Sequence, residues 1–486
     1  MKKRMRLTTT ALAALLLVLG SCGATGETAE TLADGTATDI TTAVETEPEI
    51  TLNLPEKDFG GVEYKILSVS STPNFENAFY DLEESGDVLD DAVYNRNRSV
   101  EECFNVDLIY DIQPGYAGGM ENVKTLLMES VMSADMNYDL FTGTISYVSN
   151  LCADNLFSDM SDMEYLGFGQ PWWCNSFNEE LELAGHQFLA AGYFCMENVS
   201  FVSATFFNKE LAAQYDVPDL YQLVADGKWT YDSLFEIASS VTSDVNGDGK
   251  MGDGDIYGLA SSWDYLANFG IAFDYKFTER DSDGKITVKD ADDKVTRINE
   301  MFYEIFNNDL YCEGNDLPDY NVLPVFSENR ALLLYLRLAD ADTPYLRGMS
   351  GYGILPSPKY DESQEKYISN VVGEVAGIPL VVKDSEMSAI VLEALTFETW
   401  KNVRPVYYDI VLKDKYSSDD ITGHMIDLIF ENITCEFMYM YDKIFGGTPT
   451  YELGRNENFT SYMASNRDAW QKKLDSFINT LEANLQ

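Results

Sequence analysis

The sequence predicts an α/β protein built on parallel strands, and three observations carry that prediction. Short β-branched and aromatic runs alternate with helix-like segments from Val62 onward, the rhythm of strand–helix–strand units. At 486 residues, 45% of them hydrophobic and 13% aromatic, the chain can bury a large core in two or more domains or lobes. No internal repeat is visible. Past the N-terminal segment, no stretch reaches the about 18 uninterrupted apolar residues that span a bilayer.

Lys2, Lys3, Arg4 and Arg6 form a positive start, Ala11–Leu19 a short apolar stretch, and Leu19-Gly20-Ser21-Cys22 follows. This resembles a bacterial lipoprotein signal over residues 1–22, with Cys22 as the lipid acceptor. The expected place is therefore the outer face of the cell membrane, extracellular or periplasmic, attached through that lipid. Residues 23–56 are rich in Thr, Ala, Glu and Asp. They are too poor in apolar surface to fold, so an acidic disordered tether is expected.

Val62–Ser70 reads as the first strand, Asp90–Phe104 as a helix, Val106–Tyr110 as a strand, Glu121–Met132 as a helix and Tyr138–Thr142 as the third strand. Gln187–Phe194 and Phe201–Asn208 read as further strands, and Asn208-Lys209 opens a short helix. Thr230 is placed to cap a helix whose Leu234, Phe235, Ala238 and Val241 form one apolar stripe, and Ile256–Leu259 reads as a strand. Asp281–Lys285 is a hairpin turn, and Val295–Asn308 is helical. Ala331–Leu338 suits either helix or strand. Tyr352–Tyr360 is a strand and turn, Gly377–Val382 a strand, and Ser385–Lys401, Tyr407–Tyr416, Asp419–Asn432 and Asn466–Leu485 are helices.

Between the capped helix and Ile256 lies Asp244–Asp255. Oxygen-bearing side chains fall at loop positions 1, 3, 5 and 12 (Asp244, Asn246, Asp248, Asp255), with Gly249 at position 6 and the Lys250 carbonyl at 7. Hard cations take several oxygens, and the glycine permits the sharp turn that gathers them, so a structural calcium is expected here. Two features depart from an EF-hand loop. Position 12 is Asp rather than Glu, and position 9 is Gly252, which leaves water as that ligand. The same residues also suit a polar turn that holds no metal.

Asp plus Glu number 81 against 33 Lys plus Arg, a formal charge of -48. Such a surface repels nucleic acid and anionic membrane, which excludes both as direct partners apart from the lipid. Two histidines, His186 and His424, leave few parts for a transition-metal site or a His-based triad. The seven cysteines contain no C-x-x-C pair. The six beyond Cys22 permit disulfides or buried thiols. No G-x-S-x-G, H-E-x-x-H or P-loop is present, so the chain is read as a non-enzyme.

The helix Trp229-Thr230-Tyr231-Asp232-Ser233-Leu234, the Asp-x-Asn-x-Asp-Gly loop and Asp255-Ile256-Tyr257-Gly258-Leu259 together resemble the bacterial extracellular solute-binding proteins of family 1. Those are relatives of maltose-binding protein. Gly86–Val106 and Tyr352–Tyr360 match the same family in the same order, and the resemblance covers about Lys57 to Asn466. It implies a two-lobed periplasmic-binding-protein-like fold (type II), with a hinge and an interlobe ligand cleft. On that pattern residues 57–162 plus 325–382 make one lobe and 163–324 plus 383–486 the other.

The implied function is capture of a carbohydrate, an oligosaccharide by preference, and its delivery to ABC permease subunits by a monomer. The implied cleft residues are Ser71, Asn74 and Thr144 in the first lobe and Trp172, Trp173, Glu197, Trp263 and Tyr265 in the second. The tryptophans stand out because they lie in polar, turn-like settings rather than on apolar stripes. A lipid-anchored glycoside hydrolase using two carboxylates, and a surface carbohydrate adhesin or sensor without a permease, are the alternatives.

Overall fold

Two β-sheets organise the chain, and the main chain passes from one to the other and back. The computed structural model describes residues 50–69, 84, 86–113, 116–349, 351–412 and 420–485. Cys22, Ser71, Asn74, the lipoprotein-like signal and nearly all of the acidic tether lie outside the described residues. Leu52–Gln486 forms one compact unit, and of Met1–Thr51 only Ile50 and Thr51 are described, both exposed.

The first sheet holds β1 (Val62–Val69), β2 (Val106–Gln113) and β3 (Leu140–Thr144), with β12 (Glu374–Gly377) joining late in the chain. Its order is β12-β3-β1-β2, with β1 parallel to β2 and β3, and β12 antiparallel to β3. Helices α1 (Val88–Phe104) and α2 (Tyr116–Ser133) are the crossovers. Asp87 caps α1 by accepting from the Leu89 and Asp90 amides, and Asn105 ends it in the left-handed region at φ 50°. Parallel neighbours need such long connections, which is why the strand–helix rhythm of this stretch was readable.

The second sheet contains β4 (Ser203–Asn208), β5 (Tyr257–Ser261), β8 (Tyr311–Glu313), β9 (Ala331–Arg337) and β10 (Tyr352–Leu355), in the order β10-β4-β9-β5-β8. All seven residues of β9 except Arg337 are buried. Burial on both faces of the strand explains why its continuous apolar run did not separate helix from strand. The small hairpin β6 (Thr278–Arg280) and β7 (Ile286–Val288) turns through Asp281–Lys285 with Gly284 at φ 79°. A two-residue parallel pair joins β11 (Ser369–Asn370) to β13 (Ile433–Thr434), two segments far apart in sequence.

Helix α3 (Tyr231–Val241) starts with a reciprocal cap: Ser233 N–H donates to Thr230 Oγ1, and Ser233 Oγ accepts from Thr230 N at 2.9 Å. Further long helices are α4 (Asp293–Phe306), α5 (Ser385–Glu398) and α6 (Phe459–Asn484).

Sheet membership corrects the expected lobe ranges. Within 325–382, β9 and β10 belong to the second sheet and only β12 to the first. Helix α5, expected with the second lobe, packs on the first: the Tyr64 hydroxyl of β1 donates to the Ser388 carbonyl at 3.2 Å. Strand pairing is a property of long-range register, and local pattern does not record which sheet a buried strand enters. Two expected strands also move. Gln187–Phe194 makes only isolated bridges, Ala190 to Ala376 and Gly192 to Trp173. The strand expected at Gly377–Val382 lies earlier, at Glu374–Gly377.

The six described cysteines are free thiols, five of them buried. Among the described residues no helix is long and apolar enough to cross a membrane.

Candidate functional site

The ends of strands from both sheets converge on one cleft of about 180 Å³. From the first sheet come Thr144, the last residue of β3, and Glu374, the first of β12, which pair in register. From the second come Ser203 at the start of β4 and Arg337 at the end of β9, also paired. The short helix Trp263–Leu266 after β5 contributes Asp264 and Tyr265. Crevices beyond the carboxyl ends of parallel strands are where open α/β sheets place ligands, because the strand ends and following loops leave a concave surface there.

One buried amide builds the first-sheet wall. Asn198 Nδ2 donates to the Gly192 carbonyl at 2.7 Å and to the Glu374 carbonyl at 2.8 Å, while Asn198 Oδ1 accepts from the Glu374 N–H at 2.9 Å. The fit requires Gly373: a Cβ there would stand 1.8 Å from Asn198 Oδ1. This staple brings Glu197, the neighbour of Asn198, beside Glu374. Carboxylate oxygens of the two and the Cys195 thiol lie within 4.8 Å of one another. Glu197 and Glu374 are 4% and 2% exposed.

Burial pushes the Glu374 carboxyl well above the usual carboxylate range, and the nearby charge of Glu197 adds to the shift. Burial also pushes the Cys195 thiol well up, with the Glu197 and Glu374 carboxylates adding. It is therefore a protonated group beside Glu197.

Aromatic rings form the rest of the wall. The Arg337 guanidinium lies 4.6 Å from the Phe201 ring centroid and 5.5 Å from that of Tyr265, and pairs with Asp340 at 3.4 Å. The Tyr451 hydroxyl donates to the Tyr439 hydroxyl at 3.1 Å. Burial pushes the Tyr265 phenol up to about 12, partly opposed by Arg337, so its hydroxyl stays protonated. Flat apolar faces beside carboxylates, amides and hydroxyls suit a polyol whose rings have apolar faces and polar edges.

Of the residues expected in the cleft, Thr144, Glu197 and Tyr265 line it. Trp172 and Trp173 do not. Both are 3% exposed, and their indole N–H groups donate to the two oxygens of Glu393 on α5, at 2.7 and 2.9 Å. Gly192 makes room for the second indole: a Cβ there would lie 2.7 Å from the Trp173 ring. A buried indole needs an acceptor for its N–H, and a carboxylate some 220 residues away in sequence supplies one for each.

Trp263 is half-buried outside the cleft, edge-on to Tyr451 at 5.3 Å with the Arg455 guanidinium 4.3 Å over its ring. It supports a cleft residue instead of facing the cleft. Sequence reasoning missed Glu374, Asp264, Asn268, Arg337, Tyr439 and Tyr451. Asp264 alone carried a signal, as the residue between Trp263 and Tyr265; the others come from segments that only the tertiary fold assembles.

In the Asp244–Asp255 loop, Asp244 accepts from the Gly247 and Gly249 amides at 2.7 and 2.8 Å, and Gly249 takes φ 80°. Asp255 is fully buried. It closes the loop by accepting from Val245 at 2.9 Å, Asn246 at 3.4 Å and Gly252 at 2.8 Å. The donor set is all oxygen, as a hard cation requires, and each carboxylate oxygen bound to one amide keeps a second lone pair.

No protein-family model matches the chain, and comparison with curated proteins finds no match in sequence. Solved structures do match in fold. The galacto-N-biose/lacto-N-biose I-binding protein of an ABC transporter from Bifidobacterium longum superposes with TM-score 0.55 at 10% identity, covering 88% of this chain and 99% of that one. The cyclic α-maltosyl-1,6-maltose-binding protein from Arthrobacter globiformis gives TM-score 0.54 at 13% identity, covering 86% and 99%. An ABC substrate-binding protein from Listeria monocytogenes, in complex with cycloalternan, gives 0.50 at 11%, covering 87% and 99%. The chain therefore has the two-lobed α/β fold of ABC solute-binding proteins.

Proposed function

We propose that this protein is a lipid-anchored extracellular solute-binding protein that captures a carbohydrate between its lobes and delivers it to an ABC permease. One observation carries the reading: the cleft at the ends of β3, β5 and β9 combines aromatic faces with buried hydrogen-bonding groups, drawn from both sheets. The fold supports it, since the proteins it resembles bind lacto-N-biose, cyclic maltosyl-maltose and cycloalternan. Attachment through Cys22 rests on the Leu19–Cys22 motif, with the body of the chain outside the membrane; that it acts as a monomer rests on the resemblance alone.

Calcium in the Asp244–Asp255 loop belongs to the same proposal. Asp244, Asn246, Asp248, the Lys250 carbonyl and Asp255 would hold it, and its role there is to tie α3 to β5, far from any chemistry.

Turnover is not part of this reading. A glycoside hydrolase sets its two carboxylates on either side of the scissile bond. Glu197 and Glu374 instead sit side by side on one wall, held there by Asn198. Thermal-shift measurements against mono- and oligosaccharides, amino acids and peptides test the proposal, because a ligand that binds only the folded state raises its stability. A carbohydrate is expected to raise the melting temperature and to be recovered intact by chromatography. A shift confined to amino acids or peptides, or hydrolysis of the sugar, would overturn it.

A further inference from the structure

The cleft wall is unbalanced in both charge and hydrogen bonding. Glu197, Glu374 and Asp264 bring three carboxyls to it, and Arg337, the cation in the same wall, is already paired with Asp340. Three buried acceptor atoms of the wall have no hydrogen-bond partner among the described residues: Glu374 Oε1, Asp264 Oδ1 and Asn268 Oδ1. Asn268 is an amide, 2% exposed, so its stranded oxygen is an observation independent of the acidic groups. Buried acceptors are destabilising unless a donor reaches them, so Asp264 Oδ1 and Asn268 Oδ1 ask for a donor, as Glu374 Oε1 does once its carboxyl ionises.

The carboxyl pair sharpens that requirement. Two carboxylates this close in a dry site do not both ionise unless a cation joins them. The wall also has a record of holding cations against its rings, since Arg337 lies over both Phe201 and Tyr265. A sugar hydroxyl offers one donor and no charge. A protonated amine offers three N–H donors, no acceptor and a full positive charge, which is the complement of this wall.

Building on the carbohydrate reading above, we infer that the cleft selects an amino sugar, with its ammonium group set against the Glu197–Glu374 pair. The rest of the sugar lies along the Tyr265, Tyr439 and Tyr451 side, where rings and hydroxyls alternate. This assigns the pair to ligand selection, and it separates ligands that differ by a single group on the same ring.

The test uses the full-length protein and three matched series: glucosamine, galactosamine and mannosamine and their β-1,4 disaccharides, the N-acetyl derivatives, and the parent neutral sugars. Affinities are measured by titration calorimetry near pH 7, with putrescine as an amine that is not a sugar. The free amine is expected to bind at least about tenfold more tightly than its N-acetyl and hydroxyl counterparts, the advantage of a charge-assisted over a neutral hydrogen bond. Glu374→Gln is expected to reduce that preference to near unity.

Neutral or acetylated sugars binding as tightly as the free amine would overturn the inference and leave the carbohydrate reading standing. A preference unchanged in Glu374→Gln would also overturn it. Putrescine binding with no sugar of any series binding would overturn the carbohydrate reading, and this inference with it. The wild-type comparison stands alone if the variant does not fold.

Discussion

Glu393→Ala is the perturbation that decides whether Trp172 and Trp173 are structural. Glu393 is 3% exposed and accepts from Trp172 Nε1 at 2.7 Å, Trp173 Nε1 at 2.9 Å and the Gly167 amide at 3.0 Å. Alanine strands the two buried indole donors and releases the half-buried Gly167 amide. Each buried donor left unmade costs about 1–3 kcal/mol, so the two indoles together cost about 2 kcal/mol even at the low end. The space left by the side chain adds to this. Against it stands the burial of the carboxyl itself, which raises its pKa and is relieved by the substitution. A net loss of about 3–5 kcal/mol is expected. Glu393→Gln, which keeps one carbonyl oxygen, should lose about half as much. Urea unfolding at pH 7 followed by far-UV circular dichroism reads the difference without using the tryptophans as reporters. Stability within about 1 kcal/mol of wild type, joined to lost ligand affinity, would refute the reasoning and return the two indoles to the binding site.

Two further predictions rest on the structure and one on the sequence. Burial pushes the Glu436 carboxyl up to about 7, against donation from the Tyr439, Met438 and Phe277 amides. Its folded pKa thus exceeds the unfolded value near 4.5. The stability it contributes is whole below that value and lost as pH rises through 7, so Glu436→Gln should flatten the decline between pH 5 and 8 by up to about 3 kcal/mol. Equal slopes in urea titrations of the two proteins would exclude this. Millimolar calcium should raise the melting temperature relative to chelator, the stabilisation growing with concentration to about 2.7 kcal/mol at a hundredfold excess over Kd, and Asp244→Ala should abolish the response; identical melting with and without chelator counts against the loop. Cys22→Ala should leave the precursor unprocessed or release the protein from membranes in fractionation, and normal processing with full membrane retention would remove the lipid anchor.

Local chemistry wrote much of this protein into its sequence. The strand–helix–strand rhythm from Val62 to Thr144, the Thr230 cap and the hairpin turn at Asp281–Lys285 depend on periodicity, capping side chains and glycine φ, which neighbours in sequence decide. Three cleft residues, Thr144, Glu197 and Tyr265, were also within reach, because they follow recognisable strands or motifs. Tertiary structure alone decided the rest. Whether Trp172 and Trp173 face a ligand or the core turned on Glu393, whose two oxygens answer both indoles from a distant helix. Whether β9 and β10 join the first or second sheet turned on register with β4. Glu374 entered the site because Asn198 and the bare Cα of Gly373 bring two remote segments into contact. A buried polar group is placed by the partner that satisfies it, and in a chain that crosses between two sheets that partner is seldom a neighbour in sequence.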